Sequence, residues 1–283
     1  MYSMFKEIYE EFRKAGSEDP FEETVHLLDI VTGGVVRGCD LSILEEKGLT
    51  VAELVRVRST GKPMEYILGE APFLGWSLVA GAGALIPRQE TELLAGICIQ
   101  ALTDMLDDRD ELDVIELGTG SGNIAVAIAL DVDEARVWAS DVSEEAVAIA
   151  RLNVERFDIG DRVRLFSGDL FEPLAGEGLE NDADLVVCNP PYIPTSSLEK
   201  LASEIIDHEP VVALDAGAYG INIFRRLISE SPGFLRQGGM LAFEIGAGQD
   251  KLVERLFKKA GDWVDVNTRD DGEAVRVFTA RKA

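Results

Sequence analysis

Apolar positions at the start of the chain recur at helical spacing: Tyr2, Phe5, Ile8 and Phe12 fall three or four apart, and Gly16 follows as a stop. Asp19 before Pro20 reads as an N-cap with proline at the first helical position, ahead of Phe21, Val25 and Leu28. A third stretch begins at Thr50, carries Val51, Leu54 and Val55, and ends at Gly61. Residues 1–61 are therefore expected to form a small helical domain. Over 62–89 helical periodicity stops, and prolines, glycines and short apolar runs predict a linker with a strand or hairpin.

From 90 to 283 the pattern alternates between periods. Helices are predicted over 91–106, 123–130, 144–157, 220–230 and 249–259, and strands over 114–117, 136–140, 163–166, 185–188 and 240–244. This order predicts an α/β domain with a mostly parallel, Rossmann-like sheet and helices on both faces. The last apolar runs, 263–267 and 274–279, flank the turn-like Arg269-Asp270-Asp271-Gly272-Glu273, which predicts a terminal antiparallel pair.

Composition narrows the function. The 283 residues are 46% hydrophobic, and no apolar run approaches the roughly 18 residues that a membrane span requires. The charged, amphipathic start is unlike a signal peptide, so the expected location is cytoplasmic with no membrane partner. Cys39, Cys98 and Cys188 form no pair at metal or disulfide spacing, and His26 and His208 stand alone, so no metal is expected. A formal charge of −25 repels a phosphate backbone and counts against a nucleic-acid partner.

The predicted strand ending in Glu116 runs into Gly118-Thr119-Gly120-Ser121-Gly122 and then a helix, placing three glycines where backbone must turn tightly and approach a ligand. Asn123 breaks the dinucleotide pattern GxGxxG, and no Gly-Lys-Ser/Thr ending marks a phosphate loop. A ligand without phosphate fits better: the amino-acid and ribose parts of S-adenosylmethionine (SAM). Asp141, at the end of the next strand, stands where a carboxylate accepts hydrogen bonds from ribose hydroxyls. Asp169 and Leu170, after the third strand, are placed to meet the edge and face of adenine.

At the end of the fourth parallel strand comes Asn189-Pro190-Pro191-Tyr192. Two prolines fix φ and remove two backbone donors, which leaves the Asn189 side-chain oxygen and the Pro190 carbonyl to accept from a substrate NH2 group. An amide or exocyclic amine shares its lone pair with a π-system and is a poor nucleophile. Two acceptors aim its nitrogen and stabilise the positive charge that grows on it, while Tyr192 supplies an aromatic wall. The catalytic candidates are thus Asn189, Pro190 and Tyr192. The motif alone leaves adenine, cytosine and glutamine open as the group methylated.

Other segments decide between these. Tyr66-Ile67-Leu68-Gly69, Ile86-Pro87-Arg88-Gln89-Glu90-Thr91-Glu92, the glycine loop, Asp141-Val142-Ser143, the Asn-Pro-Pro-Tyr segment, Asp207-His208-Glu209-Pro210 and Phe243-Glu244-Ile245-Gly246 together resemble the PrmC/HemK family of protein-(glutamine-N5) methyltransferases over nearly the whole chain. The resemblance implies methylation of the glutamine in the Gly-Gly-Gln loop of peptide chain release factors. SAM is then the cofactor and S-adenosyl-L-homocysteine the product, the helical domain helps to hold the release factor, and the enzyme is expected to be a monomer. The rivals are an amino-methyltransferase acting on adenine in DNA or RNA and one acting on a ribosomal-protein glutamine. Arg88 and Glu92 are expected either to line the substrate cleft or to pair with each other at the surface. His208 is expected to anchor a loop, and no role is assigned to Glu244.

Overall fold

Local capping defines the first helices. The Asp19 side chain accepts from the backbone N–H groups of Phe21 and Glu22 at 3.2 and 3.0 Å, as an N-cap does, and Pro20 opens helix α2 (Pro20–Thr32). Thr50 and Glu53 form a reciprocal capping box that starts α3 (Val51–Arg58). Together with α1 (Tyr2–Lys14), these helices bury Ile8, Phe12, Leu27, Ile30, Leu54 and Val55 in a cluster separate from the main core. The structure, a computed structural model, describes residues 2–32, 44, 48–217 and 221–283. Cys39 and the first residue of the helix expected over 220–230 lie outside the described residues.

The linker differs from expectation in one respect. Helical structure does not stop at residue 62, because a short helix α4 (Met64–Leu68) follows and ends at Gly69 in the left-handed conformation, with φ 73°. The expected hairpin comes next: β1 (Glu70–Phe73) and β2 (Trp76–Val79) pair around Leu74-Gly75, both at positive φ.

Seven strands form one sheet among the described residues: β3 (Leu112–Leu117), β4 (Ala135–Asp141), β5 (Val163–Ser167), β6 (Ala183–Cys188), β7 (Leu235–Glu244), β8 (Trp263–Asp270) and β9 (Val275–Lys282). Their order is β5-β4-β3-β6-β7-β9-β8, with the first five parallel and β9 antiparallel to both neighbours. The terminal antiparallel pair is present, with β9 inserted between β7 and β8. Every residue of β3 and β6 is buried, as strands covered on both faces require.

One face is covered by α5 (Gln89–Met105), α6 (Asn123–Asp131) and α7 (Glu144–Arg156), whose Leu94, Cys98, Leu102, Ile124, Ile128 and Val154 join the first core layer. The other face is covered by α10 (Asn222–Glu230) and α11 (Asp250–Ala260), through Phe224, Leu227, Val253 and Phe257. Between β6 and α10 the chain forms two short helices absent from the sequence expectation, α8 (Thr195–Leu198) and α9 (Ser203–His208). The strand order reverses direction at the β3/β6 pair, so the carboxyl ends of these two strands open a crevice.

Candidate active site

Register places the two sequence motifs side by side. Leu117 pairs with Cys188, so the glycine loop after β3 and the Asn-Pro-Pro-Tyr turn after β6 leave the sheet at the same level. A Cβ added at Gly118 would lie 3.9 Å from the Asn189 carbonyl oxygen.

The loop is held from several directions. Gly118, Gly120 and Gly122 all adopt positive φ, at 70°, 57° and 81°, which favours glycine. The N–H groups of Gly118 and Thr119 donate to the Ser140 carbonyl at the end of β4, at 2.8 and 3.0 Å. Asp141 uses one carboxylate oxygen to accept from Gly120 N–H (2.8 Å) and the other from Ser143 N–H (2.9 Å). Asn153, fully buried on α7, donates to the Ser121 carbonyl and exchanges two hydrogen bonds with Val79, joining the loop to the β1–β2 hairpin.

Glu116 lies beneath this loop at 1% exposure. Its Oε2 accepts from the Thr119 hydroxyl (2.6 Å) and from Ala125 N–H (3.1 Å), whereas its Oε1 has no hydrogen-bond partner among the described residues. Burial pushes its carboxyl up to about 8, against the opposing pull of the Thr119 and Ala125 hydrogen bonds. Burial likewise raises Asp141 above the usual carboxylate range, offset by the N–H groups of Ser143, Gly120 and Val142.

A large cavity opens over these strand ends. Its walls include residues 83–88 and Thr91, the loop residues Gly118, Thr119, Gly120 and Ser121, Asp141, Asp169 and Leu170, and Asn189, Pro190 and Pro191. Glu116 and Gly122 support the loop without lining the cavity. The Ser121 hydroxyl borders it and is buried with no partner among the described residues. Asp169 is half exposed and pairs with Arg226 at 2.6 Å, so one of its oxygens is already engaged. Leu170 is held at φ 50°, an uncommon conformation for a leucine, and its carbonyl accepts from the Ser140 hydroxyl at 2.8 Å.

A second, smaller cavity also meets the Asn-Pro-Pro-Tyr turn. Arg88, Asn189, Pro190, Pro191 and Tyr192 line it, together with apolar Leu85, Leu201, Ile205 and Leu214 and the carboxylate of Glu244. Tyr192 therefore forms the wall of this cavity and not of the larger one. Its ring packs so closely on Gly246 that a Cβ there would sit 2.9 Å from the ring. Burial, followed by the charge of Glu244, raises the Tyr192 hydroxyl to about 12.

Five contacts escaped the sequence. Arg88 does not pair with Glu92: it ion-pairs with Glu209, which also accepts from Ile86 N–H at 3.2 Å, and Glu92 instead accepts from Leu74 N–H at 2.8 Å. It is thus Glu209, the neighbour of His208, that ties the segment after α9 to residues 86–88. Asn189 Nδ2 donates to Thr91 Oγ1 (2.8 Å), and the Thr91 hydroxyl donates to Glu244 Oε2 (2.8 Å). No motif spacing links residues 91, 189 and 244; only the adjacent ends of β6 and β7 and the start of α5 bring them together.

The strand order, the glycine loop at the end of β3 and the Asn-Pro-Pro-Tyr turn at the end of β6 are those of a methyltransferase of the Rossmann-like class. The methyltransferase small domain family matches residues 97–215. The release factor glutamine methyltransferase of Geobacter sulfurreducens is 36% identical over 264 residues, which span 92% of this chain and 88% of that protein. The release factor glutamine methyltransferase of Rhodopirellula baltica is 34% identical over 284 residues, 96% and 93% of the two chains. This chain belongs to the release factor glutamine methyltransferase family. Among solved structures, the hMettl16 catalytic domain in complex with MAT2A 3'UTR hairpin 1 superposes with a TM-score of 0.59 at 17% identity, over 81% of this chain and 80% of that one. The N-terminal domain of human METTL16 in complex with SAH gives 0.52 at 17% identity, over 82% and 84%. At these identities the likeness is one of fold.

Proposed function

We propose that this enzyme transfers a methyl group from SAM to the side-chain amide nitrogen of the glutamine in the Gly-Gly-Gln loop of peptide chain release factors, in the cytoplasm. The observation that carries the reading is the Asn189 amide, set at the join of the two cavities with its nitrogen already bonded to Thr91 and its carbonyl oxygen left to accept. The names of the relatives support the choice of substrate.

The residues present fit SAM. Two left-handed glycines, Gly118 and Gly120, line the cavity, the Ser121 hydroxyl is buried beside it without a partner among the described residues, and Asp141 lines it at the end of the next strand. Residues 118–121 would hold the amino-acid part, Asp141 the ribose hydroxyls, and Asp169 and Leu170 the adenine. When bound, SAM would supply an electrophilic methyl group to the amide nitrogen, leaving as the neutral thioether S-adenosyl-L-homocysteine, with one amide proton released.

The chain's own part is to bind and aim. The glutamine enters through the smaller cavity, between Tyr192 and apolar Leu85, Ile205 and Leu214. Its NH2 group donates to Asn189 Oδ1 and the Pro190 carbonyl, where no proline N–H competes. Both acceptors strengthen as positive charge grows on the nitrogen. Residues 1–61 form the domain that helps to hold the release factor, residues 62–89 the linker and residues 90–283 the SAM-binding domain.

Radiolabelled SAM incubated with the enzyme and, separately, release factor, its Gln→Ala loop variant, ribosomal proteins and DNA tests the reading. Label on the release factor that vanishes with Gln→Ala is expected; label on DNA or a ribosomal protein instead overturns the substrate. Asn189→Ala is expected to leave SAM affinity within about tenfold and to cut methyl transfer by roughly 100-fold or more. Near-normal turnover of that variant would remove the mechanism.

A further inference from the structure

An asparagine amide can present either its oxygen or its NH2 group to a substrate, and only the oxygen suits an incoming NH2. Nothing in the Asn-Pro-Pro-Tyr turn itself decides between the two. The decision is made one and two residues away in space. Glu244 follows Phe243, whose register partner is Cys188, so the end of β7 brings its carboxylate level with Asn189. Thr91, in the first turns of α5, stands between them at 2.8 Å from each. Thr91 and Glu244 are each 1% exposed, so water does not compete for these bonds.

We propose that Thr91 and Glu244 are positioning residues: an ionised Glu244 turns the Thr91 hydroxyl, and that hydroxyl locks the Asn189 amide with its oxygen toward the substrate. The inference rests on the function proposed above for Asn189. Its logic is one of donors and acceptors. An ionised carboxylate only accepts, so the single Thr91 proton must point to Glu244. Thr91 Oγ1 then has only lone pairs to offer Asn189, and the amide must answer with Nδ2. A flip of Asn189 would set two acceptors face to face in a buried site, a costly arrangement. Glu244 and Tyr192 line the same smaller cavity, so the charge of this carboxylate is felt at both ends of the turn.

Protonation of Glu244 reverses the relay. A neutral carboxyl can donate to Thr91, which frees the threonine proton to bond the Asn189 oxygen and turns the NH2 group toward the substrate. The groups facing Glu244 are Thr91 and Glu90 from α5, Cys188 and Tyr192 at the end of β6, and Arg276 from β9. Burial raises its pKa most, Glu90 adds to that, and Thr91, Tyr192 and Arg276 oppose it. Turnover should therefore fall on the acid side as Glu244 gains a proton.

The test compares Thr91→Val, which keeps shape and loses the hydroxyl, with Thr91→Ser, which restores it. Measured on the release factor, Thr91→Val is expected to lower kcat by roughly 10- to 100-fold with KM and SAM affinity within about threefold of the parent. Thr91→Ser is expected to recover most of the loss, and the acid limb of the pH–kcat profile is expected only in the parent and Thr91→Ser. Thr91→Val within threefold of the parent in kcat, or Thr91→Ser as slow as Thr91→Val, overturns the relay. If the parent enzyme does not label release factor at all, the substrate reading fails instead. The relay is then read from the Asn189 side-chain 15N–1H resonances: a shift in Thr91→Val that Thr91→Ser reverses supports it, and unchanged resonances overturn it.

Discussion

Burial holds the Glu116 carboxyl at about 8, against an ordinary value of 4.5. Between those values the folded chain keeps a proton that the unfolded chain releases, so stability falls as pH rises through that window and is fully present below it. In the cofactor-free enzyme, Glu116→Gln keeps an acceptor for Thr119 and Ala125 and carries no charge. It should be more stable than the parent at pH 8 by on the order of 3 kcal/mol, with the advantage gone near pH 5, as urea denaturation at the two pH values would show. The glycines, Asp141 and Asn189 were readable residue by residue because each sits at the end of a strand whose pattern is plain. Thr91 was not, although it lies inside a quoted motif: its partners are 98 and 153 residues away.

Helices and strands long enough to show a period matched expectation to within a few residues. α5 and α7 were legible because a buried face repeats along each of them, and β3, β4 and α6, buried almost throughout, as short, largely apolar runs. Helices α4, α8 and α9, of four to six residues, were not, since fewer than two turns show no period and contacts with neighbouring elements define them. The meeting of the glycine loop with α7 belongs to this scale. A Cβ at Gly122 would lie 3.1 Å from the Ala150 Cβ and 3.3 Å from its Cα, at φ 81°, and a helix backbone cannot yield cheaply. Gly122→Ala should cost about 1–3 kcal/mol and weaken SAM binding, measured by denaturation and calorimetry. Gly120→Ala, with nothing within 4 Å, should cost only the backbone strain of about 1–2 kcal/mol.

Across the whole molecule, the N-terminal helices are tied to α9 through Arg58. Its guanidinium reaches Glu23 on α2 at 3.0 Å, the Lys62 carbonyl at 3.2 Å and Glu204 on α9 at 2.9 Å. From α9 the chain leads to Glu209 and so to Ile86 and Arg88. Arg58→Ala should raise KM for the release factor severalfold and leave SAM affinity within about twofold, with a stability cost of about 1–2 kcal/mol; an equal loss in both affinities would contradict the placement. The sequence by itself determined the fold class, the glycine loop and the Asn-Pro-Pro-Tyr turn at adjacent strand ends, because buried periodicity, left-handed glycines and paired prolines are local in cause. Tertiary structure alone decided which carboxylate Arg88 meets, how the two cavities share Asn189 and which groups its amide nitrogen meets. These depend on strand register and on side chains brought together from far along the chain, and local pattern carries no information about either.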